Sequence, residues 1–188
     1  LVRGLRLRVG DAIAVFDGRG NEYLAEIESV GRRGVIVRAT ARRRPAPEPS
    51  VRLTVAIAVT RGDRMDAAVR DAAMLGARVI QPVVTARTET TTASLARGRR
   101  VERWRRVAIA SVKQCGRAVV PDVHAALELA DYLSGETADL RLLLVEPRPE
   151  SPSTLAGVST PESAAVLIGP EGGWAAAEID AACRSGFH

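Results

Sequence analysis

From residue 51 onward, apolar runs of strand length alternate with segments of helical periodicity, and this alternation constrains the fold more than any other feature. The first run, VRLTVAIAV, is continuous, which is typical of a strand buried on both faces of a parallel sheet. The segment that follows has Met65, Val69 and Ala72 at helical spacing, and Gly76 predicts its end. Strands that alternate with helices connect through right-handed crossovers, so we expect an α/β domain with a parallel sheet and helices on both faces.

The same alternation continues to the end of the printed sequence. Further strands are expected at ARVIQPVV, LRLLLVEP and AAVLIGP. A basic helix is expected from about Arg99 to Cys115, with Trp104, Ala108 and Val112 on one face. Shorter helices are expected around residues 125–133 and at AAAEIDAACRSG.

The chain before residue 51 has a different residue pattern, with short apolar runs separated by glycine-containing turns. DAIAVFD, EYLAEIESV and GVIVRAT read as short strands, and the glycines of GRGN and GRRG suit tight turns between them. The three prolines of ARRRPAPEPS predict a linker, which would also carry Arg42, Arg43 and Arg44. We therefore assign residues 1–44 to a small β-domain, 45–50 to a linker and 51–188 to the α/β domain.

Composition limits the possible functions. The formal net charge is +5 and the pI is about 10.2. Nearly all the basic residues are arginines, whose guanidinium groups suit the recognition of phosphates and base edges. A genomic bias toward arginine codons is the alternative explanation for the choice of arginine. Two cysteines predict neither a disulfide framework nor a zinc cluster, no clustered metal ligands are visible, and no apolar run approaches the roughly 20 residues of a membrane span. We expect a cytoplasmic protein.

The most distinctive motif is LIGPEGGW, which separates a predicted strand from a predicted helix. Backbone N–H groups at a helix start have no intrahelical partner, and glycines let them approach a ligand closely. The motif lacks the Gly-Lys-Ser/Thr ending of a phosphate-binding loop and is not a dinucleotide fingerprint. A plain strand-to-helix turn is the alternative that the residues alone leave open.

LIGPEGGW followed by AAEID resembles the signature of the bacterial 16S ribosomal RNA uracil-N3 methyltransferases, which belong to the SPOUT class. RGDRMDAAVRDAAMLGARVIQPVVTAR, ERWRRVAIASVKQCGRAVVPDV and LRVGDAIAVFDGRGNEYLAEI resemble further segments of that family, in the same order. The resemblance implies a trefoil-knotted parallel sheet, an N-terminal PUA-like β-barrel that helps to hold RNA, S-adenosylmethionine as cofactor, and a homodimer. The family continues beyond the position of His188 with the segment that completes the knot, so we expect a protein longer than the printed sequence.

The resemblance also assigns site residues. It implies a cofactor site formed by two strand ends: Leu144, Val145, Glu146 and Pro147 at one, and Ile168, Gly169, Pro170, Glu171, Gly172 and Gly173 at the other. For catalysis, an arginine can stabilise a uracil anion and a carboxylate can accept its proton, and our candidates are Arg117 and Glu171. The alternatives are that Arg117 holds a phosphate and that Glu171 only caps its helix.

Basic clusters indicate where RNA would bind. Aromatic residues make up 3% of the chain, so phosphate contacts and shape are expected to dominate over base stacking. The alternative for each cluster is a solvated face. The RNA-binding candidates are Arg3, Arg6, Arg8, Arg42, Arg43, Arg44, Arg97, Arg99, Arg100, Arg103, Arg106 and Arg117.

The sequence thus predicts a methyltransferase that modifies uracil N3 in 16S ribosomal RNA. Two alternatives stay open, namely a non-catalytic RNA-binding protein that retains the SPOUT fold and a SPOUT methyltransferase that acts on another RNA. Saturable binding of S-adenosylmethionine separates the enzyme from the non-catalytic protein.

Overall fold

The computed structural model describes residues 7–146 and 159–188, and the chain divides into two compact units. The first unit comprises Leu1–Glu48 together with Val112–Val120. The second comprises Pro49–Ser111 and Pro121–His188. No pattern in the sequence predicted that a segment from the middle of the chain belongs with the N-terminal residues.

The first unit contains a three-stranded antiparallel sheet in the order β1-β2-β3, as predicted. The strands are β1 (Ala12–Phe16), β2 (Glu22–Gly31) and β3 (Gly34–Arg43). Ala25 and Ile27 on β2 are each only 1% exposed and form its buried side.

One prediction about this unit is wrong. Arg42 and Arg43 lie in β3 and not in a linker, because they pair with Tyr23 and Glu22 of β2. The first proline of the segment is Pro45, so nothing prevents the backbone before it from donating to the sheet. Arg44 follows the strand.

The second unit contains the predicted parallel sheet. Its main strands are β4 (Arg52–Ala58), β5 (Val79–Val84), β8 (Leu140–Leu144) and β9 (Ser163–Ile168), with the short strands β6 (Asp122–Val123) and β7 (Leu127–Glu128) beside β5. The strand order is β6-β5-β4-β9-β8, β7 also pairs with β5, and every pairing is parallel.

Both faces of this sheet are covered. Side chains alternate between the two faces of a strand, and on β4 the consecutive residues Val55, Ala56, Ile57 and Ala58 are all buried. One face carries a core that includes Leu167 of β9 and Phe187 near the end of the chain.

The helices are α1 (Asp63–Met74), α2 (Thr92–Arg97), α3 (Arg100–Cys115), α4 (Leu129–Gly135) and α5 (Ala176–Arg184). The helix expected around residues 125–133 begins only at Leu129, because Leu127 and Glu128 extend the sheet beside β5. The short helix α2 was not predicted from the sequence; Thr91 caps it by accepting from the N–H of Ser94 at 3.2 Å. None of the helices described here has the length and apolar character needed to span a bilayer.

Candidate functional site

A cleft of about 640 Å³ lies in the second unit where β8 and β9 end. Ligands of open parallel sheets bind at this edge, outside the carboxyl ends of the strands. Of the ten residues that the sequence predicted to hold a cofactor, nine line this cleft: Leu144, Val145, Glu146, Ile168, Gly169, Pro170, Glu171, Gly172 and Gly173. The tenth, Pro147, lies outside the described residues.

The glycine-rich loop makes a tight turn between β9 and α5. Gly173 has a φ of 70°, which a residue with a side chain rarely adopts, and its N–H donates to the carbonyl oxygen of Pro170 at 2.8 Å. Glu178 in the first turn of α5 then accepts from two backbone N–H groups, that of Ala175 at 2.9 Å and that of Ala86 at 2.8 Å. This carboxylate therefore joins the start of α5 to the loop that follows β5.

Trp174 connects the two halves of the cleft and was not among the site residues predicted from the sequence. Its indole N–H donates to the carbonyl oxygen of Leu144 at 2.9 Å. A Cβ placed on Gly169 would meet the Trp174 ring at 2.8 Å, so only glycine leaves room for the ring there. A large aromatic residue directly after the glycine motif was the available signal.

Arg87 is the second cleft residue that the sequence did not single out. It follows β5, and its guanidinium donates to the carbonyl oxygen of Gly172. The cleft thus has apolar walls at Leu144 and Val145, both about half exposed, and a cationic group on the opposite loop.

Glu171 projects from the glycine-rich loop and is paired. Its carboxylate accepts from the Arg64 guanidinium of α1 at 3.0 Å. Its own backbone N–H, and after that Arg64, hold the pKa of Glu171 below the ordinary value of 4.5. The group is therefore ionised at neutral pH, with a basicity lower than that of a free glutamate.

Arg117 belongs to the first unit, within the segment after α3. Its side chain is only 8% exposed and forms an ion pair with Glu48, with Nε lying 3.2 Å from each carboxylate oxygen. Both partners are in the first unit, so this pair is part of the structure of that unit.

Four of the arginines predicted to bind RNA line one shallow surface depression of the second unit. We call Arg99, Arg100, Arg103 and Arg106 the arginine surface; Val107 and Ala110 also line the depression. Arg103 is already engaged, because it donates to Asp63 at 2.8 Å and, through Nε, to Asp66 at 2.7 Å. Arg97 lies in the last turn of α2.

The remaining predicted RNA-binding arginines lie in the first unit. Arg8 and Arg44 are exposed. Arg42 donates to the side-chain oxygen of Asn21 at 3.2 Å, and Arg43 pairs with Glu22 at 3.3 Å. Arg3 and Arg6 lie outside the described residues.

Comparisons with known proteins match both parts of the chain. A model described as an RNA methyltransferase domain matches residues 47–188, and one described as an RNA methyltransferase PUA domain matches residues 1–40. A ribosomal RNA small subunit methyltransferase E from Synechocystis is 30% identical over the whole chain. The chain spans only 61% of the length of that relative.

Solved structures are similar as well. A ribosomal RNA small subunit methyltransferase E from Neisseria gonorrhoeae, bound to S-adenosylmethionine, matches with a TM-score of 0.88 and 26% identity, over 100% of this chain and 77% of that one. A Legionella pneumophila protein in complex with the same cofactor matches with a TM-score of 0.88 and 27% identity, over 99% of this chain and 76% of that one.

Proposed function

Because the chain belongs to the RNA methyltransferase family that includes the small-subunit ribosomal RNA methyltransferases E, we propose that it methylates N3 of a uridine in 16S ribosomal RNA and that S-adenosylmethionine is the methyl donor. The observation that carries this proposal is the cleft at the ends of β8 and β9, which collects nine predicted cofactor residues from two separate loops.

The described residues of the cleft suit this cofactor. A Cβ on Gly172 would meet no backbone atom and only the Arg87 side chain, at 3.5 Å, so the backbone of the loop is open to a ligand. Leu144, Val145 and Ile168 offer apolar contacts to an adenosine, and the loop backbone offers hydrogen bonds. We propose that Pro147 and the residues Leu144–Glu146 and Ile168–Gly173 hold the cofactor.

When bound, S-adenosylmethionine supplies an electrophilic methyl group on a sulfonium. The task of the chain is then to hold the target base in line with that group and to exclude competing nucleophiles, because positioning contributes most to such a displacement. Trp174 and Arg87 tie the surrounding loops to one another through Leu144 and Gly172, which fixes the walls of the cleft.

The catalytic assignments remain proposals. Arg117 is proposed to stabilise negative charge on uracil, although its guanidinium already pairs with Glu48. Glu171 is proposed as the proton acceptor, and its lowered pKa makes it a weaker base than an unpaired glutamate. The pair with Arg64 supports an additional task for Glu171, which is to tie the glycine-rich loop to α1.

The partners and the organisation of the chain are proposed on the same basis. We propose a 1–44 RNA-binding β-domain, a 45–50 linker and a 51–188 methyltransferase domain with the trefoil knot of the family, acting as a homodimer in the cytoplasm. RNA would contact the arginine surface and the basic residues of the first unit, namely Arg3, Arg6, Arg8, Arg42, Arg43 and Arg44, together with Arg97 and Arg117.

Two measurements test the proposal. Isothermal titration with S-adenosylmethionine is expected to give saturable binding, and a non-catalytic RNA-binding protein would give none. Incubation with small-subunit ribosomal RNA and labelled cofactor, followed by nucleoside mass spectrometry, is expected to yield 3-methyluridine. Methylation of a different base or only of another RNA would overturn the assignment of substrate.

A further inference from the structure

A second concavity of the second unit, of about 270 Å³, shares Arg100 and Arg103 with the arginine surface, and the proposed function has not used its other lining residues. It is formed by the segment after β4, the first turn of α1, the loop after β5 and the start of α3. We call it the Asp66 pocket; its lining includes Thr60, Arg61, Asp66, Glu89, Arg100 and Trp104.

Two polar atoms of this pocket have no hydrogen-bond partner among the described residues. They are Oγ1 of Thr60 and Oδ1 of Asp66, and both are shielded from solvent. The other carboxylate oxygen of Asp66 accepts from Arg103 Nε at 2.7 Å. This bond holds the side chain in place, and Oδ1 can still accept a hydrogen bond from a ligand. Leaving buried polar atoms unpaired costs free energy, which a ligand with complementary groups would recover.

The pocket adjoins the cleft. The loop after β5 contributes Arg87 to the cleft and Glu89 and Thr90 to the pocket. Arg64 in the first turn of α1 pairs with Glu171 of the glycine-rich loop. The loop after β5 therefore borders both concavities, and the Arg64–Glu171 ion pair joins α1, which lines the pocket, to the glycine-rich loop of the cleft.

We propose that the Asp66 pocket receives the uracil base that is methylated, and this inference rests on the proposed function. In a uridine the only N–H of the ring is at N3, between two carbonyl oxygens. Asp66 Oδ1 accepts from N3–H, and the Thr60 hydroxyl donates to a neighbouring carbonyl oxygen. Trp104, which is only 3% exposed, forms part of the pocket wall, and Arg61 and Arg100 offer charge to the flanking phosphates.

This placement gives Asp66 the role of proton acceptor in the transfer, and it replaces Glu171 in that role. The N3–H bond breaks and its proton passes to the Asp66 carboxylate, and from there to solvent. The electron pair of N3 forms the bond to the methyl carbon. The bond from that carbon to the sulfonium sulfur breaks, and its electrons stay on sulfur.

Binding can be measured without any turnover, because the sequence has two tryptophans and each lines one site. In Trp174→Phe, fluorescence reports on Trp104 alone. A short oligoadenylate RNA with one central uridine is expected to change this fluorescence. The same RNA with 3-methyluridine, which lacks the N3 proton, is expected to bind about tenfold more weakly. Equal responses to the two RNAs would overturn the proposal.

A photochemical experiment on the unsubstituted chain gives an independent readout if Trp174→Phe folds poorly. The uridine of the same RNA is replaced by 5-iodouridine and the sample is irradiated. The crosslink is expected at Trp104, located by mass spectrometry of the digested protein. A crosslink confined to residues outside the pocket would contradict the assignment.

Asp63 supplies a matched control. Both Asp63 and Asp66 pair with Arg103, but the Asp63 side chain is 93% exposed and the Asp66 side chain only 18%. Asp66→Asn is expected to abolish the preference for uridine over 3-methyluridine and to lower the single-turnover methylation rate about 100-fold or more, with cofactor affinity unchanged. Asp63→Asn is expected to change neither quantity more than about threefold.

The outcomes separate the two proposals. A chain that binds uridine through Asp66 but transfers no methyl group refutes the proposed function and leaves the pocket assignment standing. If the Asp66→Asn and Thr60→Val variants each methylate uridine at the normal rate, the pocket assignment is refuted and the proposed function is not. If Glu171→Gln abolishes methylation while Asp66→Asn retains it, Glu171 is the proton acceptor and the inference about Asp66 is wrong.

Discussion

The indole N–H of Trp174 donates to the carbonyl oxygen of Leu144 at 2.9 Å, across 30 residues of chain. This bond ties the end of β8 to the end of the glycine-rich loop, just before α5, and the ring lies directly against Gly169. The shape of the candidate cofactor cleft therefore depends on the Trp174 ring and on the glycine at position 169, which leaves room for that ring.

Gly169 and Gly172 are expected to respond differently to alanine. In Gly169→Ala the new Cβ would lie 2.8 Å from the Trp174 ring, so the ring must move and lose its bond to Leu144. We expect a decrease of about 1–3 kcal/mol in the free energy of unfolding. In Gly172→Ala the nearest atom is Arg87 Cδ at 3.5 Å, and the decrease is expected to stay within about 0.5 kcal/mol. Urea denaturation of both variants checks this, and equal decreases would contradict it.

Gly172→Val tests the cofactor site without disturbing the fold. The added side chain has room on the protein side and projects where the loop backbone faces the cleft. We expect S-adenosylmethionine affinity to fall about tenfold or more, with a thermal midpoint close to that of the unsubstituted chain. An unchanged affinity in calorimetric titration would show that the cofactor does not approach this loop.

The Arg117–Glu48 pair is expected to contribute to the stability of the first unit. Arg117 is buried, so replacing Glu48 with glutamine removes the carboxylate that balances its charge. The expected cost in the free energy of unfolding is about 1–3 kcal/mol, because glutamine still offers Arg117 an acceptor oxygen but no charge. The double variant Glu48→Gln with Arg117→Met is expected to be less destabilised than Glu48→Gln alone. Should Glu48→Gln cost less than about 1 kcal/mol, the burial of Arg117 does not depend on this carboxylate and the structural role of the pair is refuted.

Acid stability is expected to depend on Asp139. The hydroxyl and then the backbone N–H of Ser163 hold the pKa of Asp139 below its ordinary 3.8 in the folded chain. A lowered folded-state pKa stabilises the fold above pH 3.8, and this contribution is lost as the pH falls below 3.8 toward the folded-state value. Asp139→Asn should therefore flatten the dependence of stability on pH in that acid range. Denaturation curves at a series of acidic pH values check this, with Asp131→Asn as the control.

The arginine surface is expected to bind phosphates through Arg99 and Arg106 more than through Arg103. Replacing both Arg99 and Arg106 with alanine should weaken RNA binding and reduce the slope of log affinity against log salt by about 0.7–0.9 for each phosphate that the variant no longer neutralises. Arg103→Ala should change the slope less, because Asp63 and Asp66 already engage its guanidinium. Binding curves at several salt concentrations decide this. A weaker affinity with an unchanged slope would exclude phosphate binding at this surface.

The sequence by itself determined the parallel sheet, the antiparallel N-terminal strands and the position of the glycine-rich loop. These features are local: continuous apolar runs, period-3.6 helices and glycines at turns are visible within about ten to twenty residues. The resemblance to a known family assigned the cofactor residues, and nine of them lie at two strand ends, which a parallel sheet brings to one edge.

The tertiary structure alone decided which side chains complete the sites. Arg87 reaches Gly172 across 85 residues, and Arg64 reaches Glu171 across 107. Within residues 7–146 and 159–188, Asp66 Oδ1 has no hydrogen-bond partner, while Arg103, 37 residues later, donates to the other carboxylate oxygen. No periodicity encodes such pairs, because each depends on the packing of separate elements and on which polar atoms that packing leaves without a partner.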